Sequence, residues 1–293
     1  MTFRDFWQSN ISADCPRYRA VLFDVDGTVV SGRKPLPGAN ETLHWLRSDG
    51  TPFLFLTNDS HHSPAEKAAL ICRAGVKATP EEVVACSHVL EWYVKENALE
   101  GKKAFIMGEL GEPCFAEAAG LISCREFDRI DECDLVIAGE GYYDYLRNAE
   151  AVLNYFLRRR GGKLIVPNPD SFWPNGTSGK LGIGAGAEAR FLQSLLAELD
   201  VELEMVYLGK PYKAIYEYAL TRLRTNFNMA NLQAHEVVMV GDSLPADIAG
   251  ANRAGMTSIL VKSGLTSAEM LAAAPEAWQP DLIFETVGRK DDV

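Results

Sequence analysis

The feature that most constrains this chain is an alternation of short apolar runs with longer amphipathic segments. Runs that read as strands are Ala20–Phe23, Phe53–Leu56, Ala104–Met107, Leu135–Ala138, Leu164–Val166, Met205–Leu208, Val237–Val240, Ser258–Val261 and Leu282–Phe284. Several are apolar throughout, as in strands covered by helices on both faces. Helices are predicted between them, over Ala39–Ser48, Glu112–Ala119, Tyr145–Arg159, Ala187–Leu199, Lys213–Arg224, Pro245–Ala254 and Ser267–Ala273. Two strings have the form of capping boxes with proline at the first helical position: Ser63-Pro64-Ala65-Glu66 and Thr79-Pro80-Glu81-Glu82. The alternation predicts an α/β protein with a Rossmann-like parallel sheet.

With 293 residues, the chain suits roughly two domains at about 150 residues each. The strings that carry chemistry fall within 24–58 and 210–247, with a quieter stretch between them. That spacing predicts a discontinuous core, residues 1–84 and 206–293, interrupted by an inserted α/β domain, residues 85–205. At 47% hydrophobic and 24% charged, the chain can bury a core, which argues against disorder. Its 40 acidic against 29 basic residues, a net charge of −11, argue against binding a nucleic-acid backbone. A small anionic ligand held by a few local groups is not excluded. No apolar run approaches the roughly 18 residues that span a bilayer, and the N-terminus lacks a basic start followed by an apolar stretch. The six cysteines form no C-x-x-C pair, so they are expected to be reduced thiols in a cytoplasmic protein. The sequence leaves oligomeric state, a homo-oligomer included, open.

The strongest local signal is Val21-Leu22-Phe23-Asp24-Val25-Asp26-Gly27-Thr28. An apolar strand delivers two carboxylates, and residues two apart in an extended chain face the same side. Open α/β sheets bind ligands outside the carboxyl ends of their strands. Three further elements lie at the ends of predicted strands. Thr57-Asn58 offers a hydroxyl and an amide that can hydrogen-bond anionic oxygens. Gly209-Lys210-Pro211 brings a cation, and Gly241-Asp242 is followed by Asp247. Three aspartates around one cleft would repel one another unless a hard divalent cation neutralised them, and oxygen ligands suit Mg²⁺. Each element alone reads as a turn, a surface lysine or a helix cap; their order on strand ends makes the set specific.

This set resembles the haloacid-dehalogenase superfamily, whose phosphatases carry D-x-D-G-T, a Ser or Thr, a Lys and G-D-x-x-x-x-D in this order. The long insertion resembles the NagD-like branch with its large α/β cap. Asn168-Pro169-Asp170 and the glycine-rich stretch Gly182–Ala187 support the likeness, which spans about Ala20 to Gly264. Two positions depart from the pattern. Asp59 stands where a second asparagine is usual, and Ala246 stands where a threonine is common before Asp247.

The resemblance implies a Mg²⁺-dependent phosphomonoester hydrolase acting on a small phosphorylated metabolite. Asp24 would be the nucleophile forming an aspartyl-phosphate, and Asp26 the general acid and base. Mg²⁺ would be held by the Asp24 carboxylate, the Asp26 backbone carbonyl and the Asp242 carboxylate, with Asp247 supporting its shell. Thr57, Asn58 and Lys210 would hold the phosphoryl oxygens. Asp26 also separates this chain from the dehalogenases, which lack that acid because a halide needs no proton. Sugar phosphates, nucleotides, phosphoglycolate and pyridoxal phosphate stay open as substrates. A phosphotransferase, or a binding module that retains the acidic pocket, are the alternatives.

Other strings compete. Gly241-Asp242-Ser243-Leu244 spells a serine-esterase signature, but every histidine precedes Ser243 and none stands in a D-x-x-H element. Gly182-x-Gly184-x-x-Ala187 fits a loose dinucleotide fingerprint, yet Ser178-Gly179-Lys180-Leu181 is a poor strand to precede it. His61 and His62 read as solvated loop histidines, and Phe172 and Trp173 as core aromatics before a substrate lid. Arg158-Arg159-Arg160 reads as a helix end that favours the macrodipole.

Overall fold

A computed structural model describes residues 2–12, 17–175 and 180–288. Cys15, Ser178 and Gly179 lie outside the described residues. The chain forms two compact units: Met1–Thr57 with Pro64–Val84 and Lys210–Val293, and Asn58–Ser63 with Ala85–Gly209.

The first unit is built on a six-stranded sheet in the order Leu282–Phe284, Thr257–Val261, Val237–Gly241, Ala20–Phe23, Phe53–Thr57 and Val83–Ala85. Its strands pair in parallel from Phe284 to Phe53. Ala20–Phe23, Phe53–Thr57, Val237–Gly241 and Thr257–Val261 are buried at every position, so along these four strands neither face of the sheet meets water. The chain runs outward from Ala20–Phe23 in one direction, then returns to start Val237–Gly241 on its other side. That neighbouring pair is where the winding reverses, the place where open α/β sheets bind ligands.

The second unit holds a five-stranded sheet in the order Leu203–Tyr207, Gly162–Val166, Leu135–Ala138, Lys103–Met107 and Ile122–Cys124, parallel throughout. Helices Tyr145–Arg159 and Ala185–Ala197 bury Val152, Phe156, Leu192 and Leu196 against it. Arg158 and Arg159 end the first of these helices and pair with Asp131. The chain is thus a Rossmann-like core with an inserted α/β cap.

Every expected strand forms, but several elements differ from expectation. Thr79 does complete a capping box with Glu82, yet it opens only a single 3₁₀ turn, Pro80–Glu82, because the strand Val83–Ala85 follows at once. The helix expected over Glu112–Ala119 shortens to Phe115–Ala118. The one expected over Pro245–Ala254 splits into a π turn, Leu244–Ile248, and a helix, Ala249–Ala254. Lys180–Ile183 is a strand after all, paired antiparallel with Phe172–Asn175. Phe172 is 64% exposed, so it is not a core ring.

Candidate functional site

Asp24 continues the strand Ala20–Phe23, its amide donating to the Val240 carbonyl at 2.9 Å. Backbone pairing to the neighbouring strand therefore carries its carboxylate to the reversal point. The chain then turns at Gly27, whose φ of +85° suits glycine. Lys210 Nζ donates to Asp24 Oδ1 at 2.5 Å and to Asp247 Oδ1 at 2.7 Å. Thr28 Oγ1 lies 3.5 Å from Asp24 Oδ2. Asp242 follows Val237–Gly241 and accepts the Leu265 amide at 2.6 Å. Asp247 accepts the Ser243 amide at 3.1 Å. Oxygens of Asp24, Asp242 and Asp247 all lie within 4.8 Å of one another.

Lys210, Asp242 and Asp247 are almost wholly buried. Burial pushes the Asp24 carboxyl well above the usual range, with Asp247 and Asp242 adding to the shift and Lys210 opposing it. Burial, then Asp247, pushes Asp242 up to about 7, against the Leu265 amide and Lys210. For Lys210 burial works against the charge, but Asp24 and Asp247 outweigh it and hold the ammonium well above its usual value. The cluster thus carries three carboxylates against one fixed cation. Its all-oxygen donor set, and the crowding of carboxyl groups that raises Asp24 and Asp242, fit a hard divalent cation such as Mg²⁺.

Thr57 ends the strand beside Asp24's and is buried. Asn58 begins the short segment that belongs with the second unit, where its Nδ2 donates to Asp170 Oδ1 at 2.9 Å. Asp26 is 63% exposed at the side chain, and Lys67 Nζ lies 3.5 Å from its Oδ2. His62 Nδ1 lies 3.0 Å from Asp59 Oδ2, and His61 Nδ1 3.9 Å from Glu109.

Three contributors were not anticipated from the sequence. Lys67 stands on the helix Pro64–Arg73, and only its place four residues after Ser63 could have drawn notice. The amide of Leu265 fixes Asp242 from the loop after Thr257–Val261. The Tyr216 hydroxyl donates to the carbonyls of Ala246 and Asp247 at 3.1 and 3.2 Å, which holds the Asp247 turn. Both competing strings have structural explanations. Ser243 Oγ accepts the Ala246 amide as a helix cap. Gly184 and Gly186 lie where a methyl group would strike the carbonyls of Asp170 and Pro169, so they serve close packing.

Comparison with known proteins matches residues 21–122 to the haloacid dehalogenase-like hydrolase family and residues 207–289 to a HAD-hydrolase-like family. The 5′-nucleotidase YutF of Bacillus subtilis is 29% identical over 253 residues, which is 86% of this chain and 90% of the relative. A glycerol phosphate phosphatase structure from Mycobacterium tuberculosis, in complex with calcium, is 30% identical with a TM-score of 0.72, covering 92% of this chain and 74% of that one. The same enzyme with magnesium gives 29% and 0.74, covering 93% and 76%. NagD from Escherichia coli is 26% identical with a TM-score of 0.73, covering 94% of this chain and 99% of that one.

Proposed function

The chain belongs to the haloacid-dehalogenase-like hydrolases as a phosphatase of the NagD-like kind, and from that membership we propose that it hydrolyses a small phosphorylated metabolite through an aspartyl-phosphate on Asp24. One observation carries the proposal: a buried lysine bonded to two of three clustered aspartates at the reversal point of a parallel sheet. The glycerol phosphate phosphatase and 5′-nucleotidase among its relatives support the substrate class.

In this reading an Asp24 carboxylate oxygen attacks phosphorus, and the phosphorus–oxygen bond to the leaving group breaks. Asp26 donates the proton that the departing oxygen needs. Water then attacks the aspartyl-phosphate, Asp26 takes its proton, and phosphate leaves with Asp24 restored. Lys210 stays protonated and holds a phosphoryl oxygen together with Thr57 and the Asn58 region, where charge must be neutralised during transfer. Asp24, the Asp26 carbonyl and Asp242 would hold Mg²⁺, with Asp247 supporting them. Bound there, the ion would supply positive charge against the acidic cluster and the phosphoryl oxygens. We take the compartment to be the cytoplasm, in keeping with the free thiols of Cys72, Cys86, Cys114, Cys124 and Cys133.

The test is phosphate release from p-nitrophenyl phosphate with metal removed by chelation and Mg²⁺ restored. Activity should vanish on chelation and return with Mg²⁺. Asp24→Asn should reduce turnover to background while keeping the wild-type melting profile. Metal-independent turnover, or an active Asp24→Asn enzyme, would overturn the reading.

A further inference from the structure

A cavity of about 630 Å³ opens beside Asp26 in the first unit, between the helix Pro64–Arg73 and the hairpin of Val30–Ser31 and Lys34–Pro35. That volume is in the range of small-molecule sites, roughly 300–1,000 Å³. Val30, Leu70 and Ile71 supply apolar walls. The charged lining is Arg33, Lys67 and Arg73 against Asp26 alone, a local cationic excess in a chain of net charge −11. Lys67, Leu70 and Ile71 share one helix face by their spacing. Lys67 is drawn inward, its side chain 11% exposed and its ammonium 3.5 Å from Asp26 Oδ2. Among the described residues neither Arg33 nor Arg73 has an ion-pair partner, and each presents donors that suit a carboxylate or phosphoryl group.

Building on the phosphatase reading, we propose that this cavity is a leaving-group subsite selecting phosphate monoesters that carry a second anionic group, recognised by Arg33 and Arg73. Asp26 meets the ester oxygen that departs, so a leaving group seated here starts at Asp26 and runs along the apolar walls toward the arginines. Lys67 pairs with Asp26, which leaves the two arginines as the cations that face a distal anion. A carboxylate and a second phosphoryl group share this chemistry.

The experiment compares matched substrates: glycerol 3-phosphate with 3-phosphoglycerate, and glucose 6-phosphate with glucose 1,6-bisphosphate. The wild type should favour the doubly anionic member of at least one pair in kcat/KM by about tenfold, and whichever pair responds identifies the second anion. Arg33→Gln and Arg73→Gln should each lower that ratio several-fold, mainly through KM, as expected for losing a charged hydrogen bond. A wild type without preference, or variants that slow both members equally, would overturn the subsite. Release of p-nitrophenol from p-nitrophenyl phosphate by the wild type reports separately on the phosphatase reading. If that release fails, the same pairs are compared by thermal shift. Stabilisation by the doubly anionic member that disappears in Arg33→Gln, Arg73→Gln sustains the subsite, and equal stabilisation by both members removes it.

Discussion

A methyl group built on Gly264 would lie 1.8 Å from Asp242 Oδ2, and one built on Gly27 would lie 2.3 Å from the same atom. Two loops far apart in sequence therefore close around one carboxylate, which the Leu265 amide then fixes at 2.6 Å. Gly264→Ala forces either Asp242 or the loop to move. The half-saturating Mg²⁺ concentration should rise about 10–100-fold, the size of effect seen when groups that orient metal ligands are lost. Titrating activity against Mg²⁺ checks this, and an unchanged titration would mean that Asp242 does not hold the ion. Asp26 poses a different question because it is exposed. Asp26→Asn should slow alkyl phosphates by roughly 10²–10⁴-fold. Activated aryl phosphates should suffer far less, since their leaving groups depart without a proton. Equal losses on both would remove Asp26 as the acid. The sequence already pairs these carboxylates with their strands, because an apolar run ending in Asp is a local signal. Leu265 and Lys67 carry no such signal: one acts through its backbone, and the other is an ordinary lysine until the fold buries it.

At the scale of elements, the helix Phe3–Ile11 shows what periodicity missed. No element is expected before Ala20, although Phe3 and Trp7 are spaced as one face of a helix and Thr2 and Asp5 form a capping box. Nine residues with two buried side chains give little pattern to read, and the partners are distant. Phe3 meets Phe23 edge-on at 5.3 Å, Trp7 Nε1 lies 3.3 Å from Thr51 Oγ1, and the Phe3 amide donates to the Thr286 carbonyl. Both rings are fully buried. Trp7→Ala should cost about 3–5 kcal/mol through lost burial and the cavity left behind. Thermal unfolding should show the loss, while kcat on p-nitrophenyl phosphate below the transition stays near wild type. A helix that merely decorates the surface would leave the melting temperature unchanged. The long central strands were legible because continuous apolar runs of four or five residues have few other readings. Val83–Ala85 was too short to register, and Lys180–Ile183 was obscured by Gly182 until its antiparallel partner supplied the pairing.

At the scale of the whole molecule, the chain enters the second unit twice, at Asn58–Ser63 and at Ala85–Gly209. The short visit is tied in by contacts across great sequence distance, which no local pattern announces. Asn58 donates to Asp170, 112 residues on, and Ser60 Oγ donates to Glu140 Oε1 at 2.7 Å, 80 residues on. Asn168 Nδ2 donates to the same Glu140 oxygen. Loss of hydration raises the Glu140 pKa above its usual 4.5, Asp59 and Asp170 raise it further, and the Ser60 and Asn168 donors pull against them. A carboxyl whose pKa is raised by folding contributes stability that is complete below the unfolded value and is lost as pH rises through the folded one. Once ionised, Glu140 therefore weakens the anchor that it builds. Glu140→Gln keeps an oxygen to accept from Ser60 and Asn168, and it replaces a charge that Asp59 and Asp170 oppose with an amide donor. The variant should melt above the wild type at pH 7–8 by a few degrees, about what ~1 kcal/mol gives in a chain of this size. That advantage should shrink as pH falls toward 4.5, where the wild-type carboxyl is protonated and donates as well as accepts. Melting curves of both proteins across pH 4–8 measure it. A constant offset between the two curves would show that hydrogen bonding alone, and not the charge on Glu140, sets the strength of this anchor.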